Sequence, residues 1–366
     1  MTRKDFLRAA VGVAASAFIP GLSAAAPAPK SQIKRGVILY SYQEEFYIRT
    51  MTLEDCLGEV ADIGANCIEL VAEEMIPGFP NPSDRWVDQW RGWVDKYHID
   101  PVCYMQFQET KLHKDRLLTD EEALENMVRD INLAKRLGFK MLRGDAWTPL
   151  KDIERALPYL EEHNIKYAVE IHSPVPLAGE RVQECMDLIT KTGTKHFGFV
   201  PDFSLFVKRP PRVERDRKIR DGLLTEKVAR YLEEAYQSGV PFEKAKPEAV
   251  RMGYREVDHG YGTYLDEVYG RGFFGTARND PRDLLKIMPY IFHVHAKFWE
   301  ITDDFQEYSI PYDEVVPVLV EGGYKGDLSS EYEGQRFTQD AFETDSCEQV
   351  RRHQVMLRRL LGESEI

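Results

Sequence analysis

The feature that most constrains this chain is a rhythm. Short apolar runs alternate with longer amphipathic stretches along most of its length. The runs cover 36–42, 67–71, 101–106, 140–144, 166–172, 196–202, 290–297 and 326–331. Between them the spacing predicts helices. One spans 52–63, opened by Thr52 with Glu54 and Asp55 in its first turn. A second places Trp86, Trp90 and Trp93 at i, i+4 and i+7, which is a core-facing stripe. Others are predicted over 119–137, 149–162, 179–192, 281–288, 311–321 and 341–361. Thr119-Asp120-Glu121-Glu122 has the form of a capping box.

Strands separated by single helices must run parallel, with right-handed crossovers. Eight such units predict an α/β fold, the closed (β/α)8 TIM barrel, with its active site at the C-terminal ends of the strands. The rival is an open doubly wound sheet. No Gly-x-Gly-x-x-Gly follows the first strand, which argues against it. A chain of 366 residues with 43% hydrophobic residues has room for one barrel and an insertion.

Two segments fall outside the rhythm. Residues 1–26 read as an export signal: Arg3, Lys4 and Arg8 flank an apolar run over 9–19, and small residues follow Pro20-Gly21. Thr2-Arg3-Lys4-Asp5-Phe6-Leu7 is similar to the bacterial twin-arginine pattern, with Lys4 at the second arginine. The run is too short for a membrane span, so the processed chain is expected in the periplasm. Residues 27–35 form a linker, and the barrel occupies 36–362. The second segment is a long insertion between strands 6 and 7, residues 203–280. It carries a basic part from Lys208 to Arg220 and a helical part over 225–237. A Gly/Tyr-rich part holds Tyr254, Tyr261, Tyr264, Tyr269, Phe273 and Phe274. Starting at the barrel mouth, it is expected to be a lid or a partner surface, its aromatics offering flat apolar faces to a ligand. Its arginines have Glu214, Asp216 and Asp221 as near partners. The five cysteines are scattered without a CxxC pair and read as buried thiols. A net charge of −13 opposes binding to nucleic-acid phosphates.

The predicted strands end in chemistry. Alternation puts His293, His295 and Lys297 on one strand face. Glu170, Asp202, His295 and Glu331 terminate strands five to eight. Three carboxylates and an imidazole suit one divalent cation, Mn²⁺ first, with Mg²⁺, Co²⁺ or Zn²⁺ as alternatives. Such a cation can polarise a carbonyl while neighbouring side chains move a proton. His172 lies on the face of Glu170 and is a candidate base. Lys297 is a candidate oxyanion donor. His293, Glu69, Arg143 and His259 are candidates for substrate contact. His98, His113, His163 and His353 fall on helices or turns and read as surface residues.

With these residues the chain resembles the xylose isomerase-like TIM barrels, the sugar phosphate isomerase/epimerase superfamily, over roughly residues 34–362 apart from the insertion. The resemblance rests on Glu170 in Val169-Glu170-Ile171-His172 and Asp202 in Pro201-Asp202-Phe203. It rests equally on His295 in His295-Ala296-Lys297 and Glu331 in Ser330-Glu331-Tyr332. It implies one divalent metal on those four residues and an isomerase or epimerase acting on a sugar. It also implies proton transfer by Glu170 and Glu331. The ketose 3-epimerase branch has a histidine three residues after the aspartate; here Leu205 stands there. C-glycoside deglycosidase large subunits resemble this chain in the four ligands and in a basic insertion after Asp202-Phe203-Ser204. That likeness implies a lyase expelling an aglycone from a 3-oxo-glycoside, with a small β-rich partner subunit; a homo-oligomer is the other expectation. An endonuclease IV-type nuclease would need more histidines, and a non-catalytic sugar binder would not need the complete ligand set.

Overall fold

The computed structural model describes residues 31–108, 112–257, 263–270, 279–338 and 344–363. The expected signal segment and His259 lie outside them. Eight strands are present: β1 Lys34–Ile38, β2 Cys67–Val71, β3 Asp100–Met105, β4 Met141–Gly144, β5 Lys166–Ile171, β6 Phe197–Pro201, β7 Val294–Phe298 and β8 Asp327–Tyr332. All ladders are parallel, in the order β6-β5-β4-β3-β2-β1-β8-β7. β6 and β7 then meet through two isolated parallel bridges, Phe199 to Ile291 and Asp202 to His295, so the sheet is a nearly closed barrel. No helix among the described residues is long and apolar enough to cross a membrane.

The outer helices form where the sequence caps them. These are α1 Leu53–Asp62, α2 Asp84–Tyr97, α3 Asp120–Leu137, α4 Leu150–His163 and α5 Glu180–Thr192. Thr52 with Asp55 and Thr119 with Glu122 make reciprocal capping boxes, which satisfy donors the first helical turn leaves open. Trp90 is buried and stacks on Trp86 and Phe139, as the stripe required. Strand residues are buried on both faces, the outer face against helices and the inner face inside the barrel.

Two strand boundaries differ from the sequence reading. β1 stops at Ile38, and 39–42 turn into a 3₁₀ helix. The cause is Ser41, whose hydroxyl donates to Ser330 O and accepts from Tyr332 N, taking over ladder partners that β1 would have used. β7 begins at Val294 because Met288–Tyr290 is a 3₁₀ turn. Between β2 and β3 the register jumps from Ile68 opposite Pro101 to Glu69 opposite Cys103. The skipped residue lies beside a proline, which has no N–H to give the ladder.

The insertion is mostly helical: α6 Arg212–Arg220, α7 Glu226–Gln237, α8 Phe242–Arg251 and α9 Tyr264–Val268. It has its own apolar cluster of Leu224, Val228, Leu232, Tyr254, Tyr264, Leu265 and Val268. This corrects the expectation for its aromatics. Tyr254 and Tyr264 are buried in that cluster, and Tyr269 packs on Tyr236 and Phe242 with its hydroxyl on Val240 O. Tyr261, Phe273 and Phe274 lie outside the described residues. The basic helix α6 docks on segments that follow β7 and β8. Arg212 pairs with Glu300 at 2.5 Å, Arg209 lies over the Tyr308 ring, and Arg220 donates to Phe337 O. Two more α10 and α11 helices, Tyr312–Glu321 and Ser346–Leu360, complete the outer layer.

Candidate active site

The site is built from inward-facing residues at the C-terminal ends of the strands. Strand pleating fixes which side chains reach it, since every second residue points inward. Thus Arg143, Glu170 and Asp202 share the interior with His293, His295, Lys297, Glu331 and Glu333, and all are buried. Glu69, after the register jump, joins them with no exposed surface.

His295 stands at the centre. Its Nδ1 is 2.9 Å from Glu170 and 3.5 Å from Glu331, and its Nε2 is 2.8 Å from Glu69. Arg143 donates to Glu69 at 2.7 Å and to Glu170 at 2.9 Å, tying together the two carboxylates that flank the imidazole. Lys297 Nζ lies 3.5 Å from Asp202, 3.5 Å from Glu331 and 3.4 Å from Glu333. Asp202 uses one oxygen to cap the 203–206 turn through Ser204 N at 2.7 Å. Its other oxygen, with Glu331 Oε2 and Glu333 Oε2, is buried without a hydrogen bond.

Electrostatics follow from this crowding. Burial opposes ionisation of Glu69 and Glu170, but Arg143 and His295 outweigh it and hold both carboxyls well below the usual range. Burial also disfavours a charged His295, yet Glu69, Glu170 and Glu331 push it up to about 10. Glu331 is driven well above the usual range by burial, which Lys297 and His295 only partly offset. Lys297 resists burial through Asp202, Glu331 and Glu333 and stays firmly charged.

This donor set fits a divalent cation. Glu170, Asp202, His295 and Glu331 offer ligand atoms that all lie within 4.8 Å of one another. Ligand bonds of about 2.0–2.4 Å span such a cluster. One oxygen each of Asp202 and Glu331, buried without a hydrogen bond and only 3.5 Å from Lys297, points to the same need. Five carboxylates (Glu69, Glu170, Asp202, Glu331, Glu333) also outnumber the permanent cations Arg143 and Lys297 among them. A second cluster, Glu69 with His293 and His295, meets the same spacing. There Arg143 already neutralises Glu69, so that cluster serves as a support: a carboxylate on the far nitrogen of a ligating histidine fixes its orientation.

The other expected residues fall as follows. His172 is half-buried just beyond β5, with Nδ1 2.5 Å from Ser173 O. His293 touches Glu69 at 3.5 Å, and neither ring nitrogen has a hydrogen bond. Arg143 contacts Glu170 and Glu69 contacts His295 from within the barrel. Glu333 was missed, although it continues the alternation of Glu331 by one step; its Oε1 accepts from Tyr40 OH at 3.2 Å, and Tyr40 OH accepts from Arg336. His353 corrects the sequence reading, because it is fully buried.

Comparison with known proteins agrees with this architecture. Residues 57–221 match the family described as xylose isomerase-like TIM barrel. A 3'-dehydrocarminate deglycosidase alpha subunit from Microbacterium sp is 32% identical over 350 residues, covering 90% of this chain and 96% of that one. A C-glycoside deglycosidase alpha subunit from Arthrobacter globiformis is 32% identical over 333 residues, covering 86% and 89%. A solved sugar phosphate isomerase/epimerase from Parabacteroides distasonis shares the fold, with TM-score 0.52 at 13% identity over 92% of this chain and 96% of that chain. The chain belongs to the xylose isomerase-like TIM-barrel family, in the group of the C-glycoside deglycosidase alpha subunits.

Proposed function

We propose that this chain is a metal-dependent lyase that releases the aglycone from a 3-oxo-glycoside. The observation that carries the proposal is the buried Glu170, Asp202, His295 and Glu331 cluster at the mouth of a barrel similar, along nearly its whole length, to deglycosidase subunits. Leu205, in place of the histidine of ketose 3-epimerases, turns the reading away from free ketoses.

The four residues would hold the cation, Mn²⁺ being the first choice. When bound, it supplies a Lewis acid for the sugar carbonyl. His172 is the proton acceptor. Its Nδ1 donates to Ser173 O, which leaves the basic lone pair on Nε2. It takes the proton from the carbon between the ketone and the anomeric carbon. Lys297, kept charged by its three carboxylates, is a hydrogen-bond donor for the oxyanion. The oxyanion then returns its electron pair to restore the ketone. A double bond forms to the anomeric carbon, the anomeric bond to the aglycone breaks, and the aglycone leaves with that pair and gains a proton. Arg143 and Glu69 orient the ligands and do not touch sugar in this scheme. The names of the relatives support a second subunit for this chain as well. Export remains our reading of residues 1–26, and N-terminal sequencing of the native protein would check it.

The test is incubation of the metal-loaded protein with aryl 3-oxo-glucosides in D₂O. Release of aglycone is expected, with deuterium at C2 of recovered substrate. His172→Gln should lower kcat about a hundredfold or more with its metal content intact. Absence of C2 exchange and of aglycone, together with epimerisation of free ketoses at C3, would overturn the reading.

A further inference from the structure

The insertion does not offer its described tyrosines to a ligand, yet the mouth presents another aromatic. Of the five tryptophans, Trp86, Trp90, Trp93 and Trp299 are buried or half-buried; Trp147 is 65% exposed. It follows β4, whose Arg143 touches Glu170 at 2.9 Å.

The backbone under this indole is held firmly. Ala146 and Thr148 on either side of it are buried. Trp147 N donates to Asp145 Oδ1 at 2.6 Å. Arg181, from α5, donates to Ala146 O at 2.5 Å and to Thr148 O at 2.6 Å, clamping both flanks. Gly144 lets the loop start tightly, since a Cβ there would meet Tyr167 OH at 2.0 Å. An exposed tryptophan on a fixed loop is a surface prepared in advance, with little ordering left for a ligand to bring about.

Beside it is a cavity of about 350 Å³, lined by Trp147, Pro174, Val175, Pro176 and Arg181, with Glu180 and Glu184 at its edge. Pro174 lies four residues past Glu170, so the chain allows at most about 14 Å between them. The pocket therefore lies close to the carboxylate and histidine cluster, on loops that leave the C-terminal ends of β4 and β5.

We infer that Trp147 and the 174–176 wall form the aglycone subsite, and that its ligand is a flat aromatic ring system joined to the sugar. The indole supplies a stacking face and the prolines and Val175 an apolar wall, while Arg181, held by the two loop carbonyls and by Glu184 at 3.1 Å, keeps that wall in place. This rests on the lyase reading for its substrate, though aromatic binding itself does not require turnover.

The experiment compares wild type with Trp147→Ala and Trp147→Phe in the full metal-loaded protein. Binding of a free polyphenolic aglycone is measured by calorimetry. Trp147→Ala should weaken it about tenfold, and Trp147→Phe should largely restore it. In parallel, the kcat/KM ratio of an aryl to a methyl 3-oxo-glucoside should fall about tenfold in Trp147→Ala, through KM. Unchanged aglycone affinity in Trp147→Ala overturns the subsite. So does unchanged affinity joined to loss of a co-purifying second chain, which would make the indole a protein contact. Retained aglycone binding at Trp147 with no turnover of any 3-oxo-glycoside would sink the lyase reading and leave the subsite standing.

Discussion

His353 shows what one side chain adds beyond the active site. It stacks on Phe298 at 4.1 Å and accepts from Ser330 Oγ through Nδ1 at 2.7 Å, while Nε2 has no hydrogen bond. Burial alone pushes its pKa down to about 3. The unfolded chain, at an ordinary 6.5, then binds a proton that the folded state refuses. Its contribution is complete above pH 6.5 and is lost as pH falls toward 3, a span worth about 5 kcal/mol at most. His353→Phe keeps the stack and removes the titration. Its Tm should decline less steeply than wild type between pH 6.5 and 4; parallel profiles would refute this. The signal for burial was present in the sequence. Val350, His353, Gln354 and Leu357 follow i, i+3, i+4, i+7 on α11, and all are buried. A histidine at an apolar position was simply assigned the commoner, wet environment. The placement of His293, His295 and Lys297 was easier, because strand parity alone puts them on one face. The Glu69–His295 link was not legible: it crosses the barrel and depends on a register jump that no local pattern announces.

At the scale of elements, the alternation of runs predicts the barrel, since the strands are short and apolar and helices follow them. Boundaries slipped where a side chain replaced a ladder partner, as Ser41 does. The insertion's Tyr254, Tyr264 and Tyr269 were read as ligand surfaces, when its helices needed them for a core. That core predicts separable behaviour. Leu232 is fully buried in a cluster belonging to the insertion, away from the barrel's main one. Leu232→Ala should cost about 2–4 kcal/mol locally. Hydrogen exchange should then rise across 212–257 while β1 to β5 stay protected and metal content holds. Exchange rising equally in the barrel strands would mean that insertion and barrel unfold as one unit.

For the whole molecule, the weak point of the barrel is also where the ligands meet. Every neighbouring strand pair is joined by a ladder except β6 and β7, which share two isolated bridges and the Phe292 N to Phe199 O bond at 3.0 Å. One of those bridges pairs Asp202 with His295. Two proposed ligands thus face each other across the seam, with Glu170 and Glu331 on the adjoining strands. A cation held by all four would connect β5, β6, β7 and β8, closing what backbone hydrogen bonds leave thin. Ligand binding to the folded state alone stabilises it by about 2.7 kcal/mol at a hundred times Kd. Chelation should therefore lower Tm by several degrees, and the loss should have a location. Exchange protection should fall first at 197–202 and 291–298 and least at β2 and β3. Asp202→Asn should show the same pattern without chelator and no longer respond to added Mn²⁺. Uniform loss of protection around the barrel would mean that the cation acts on overall stability and does not fasten the seam.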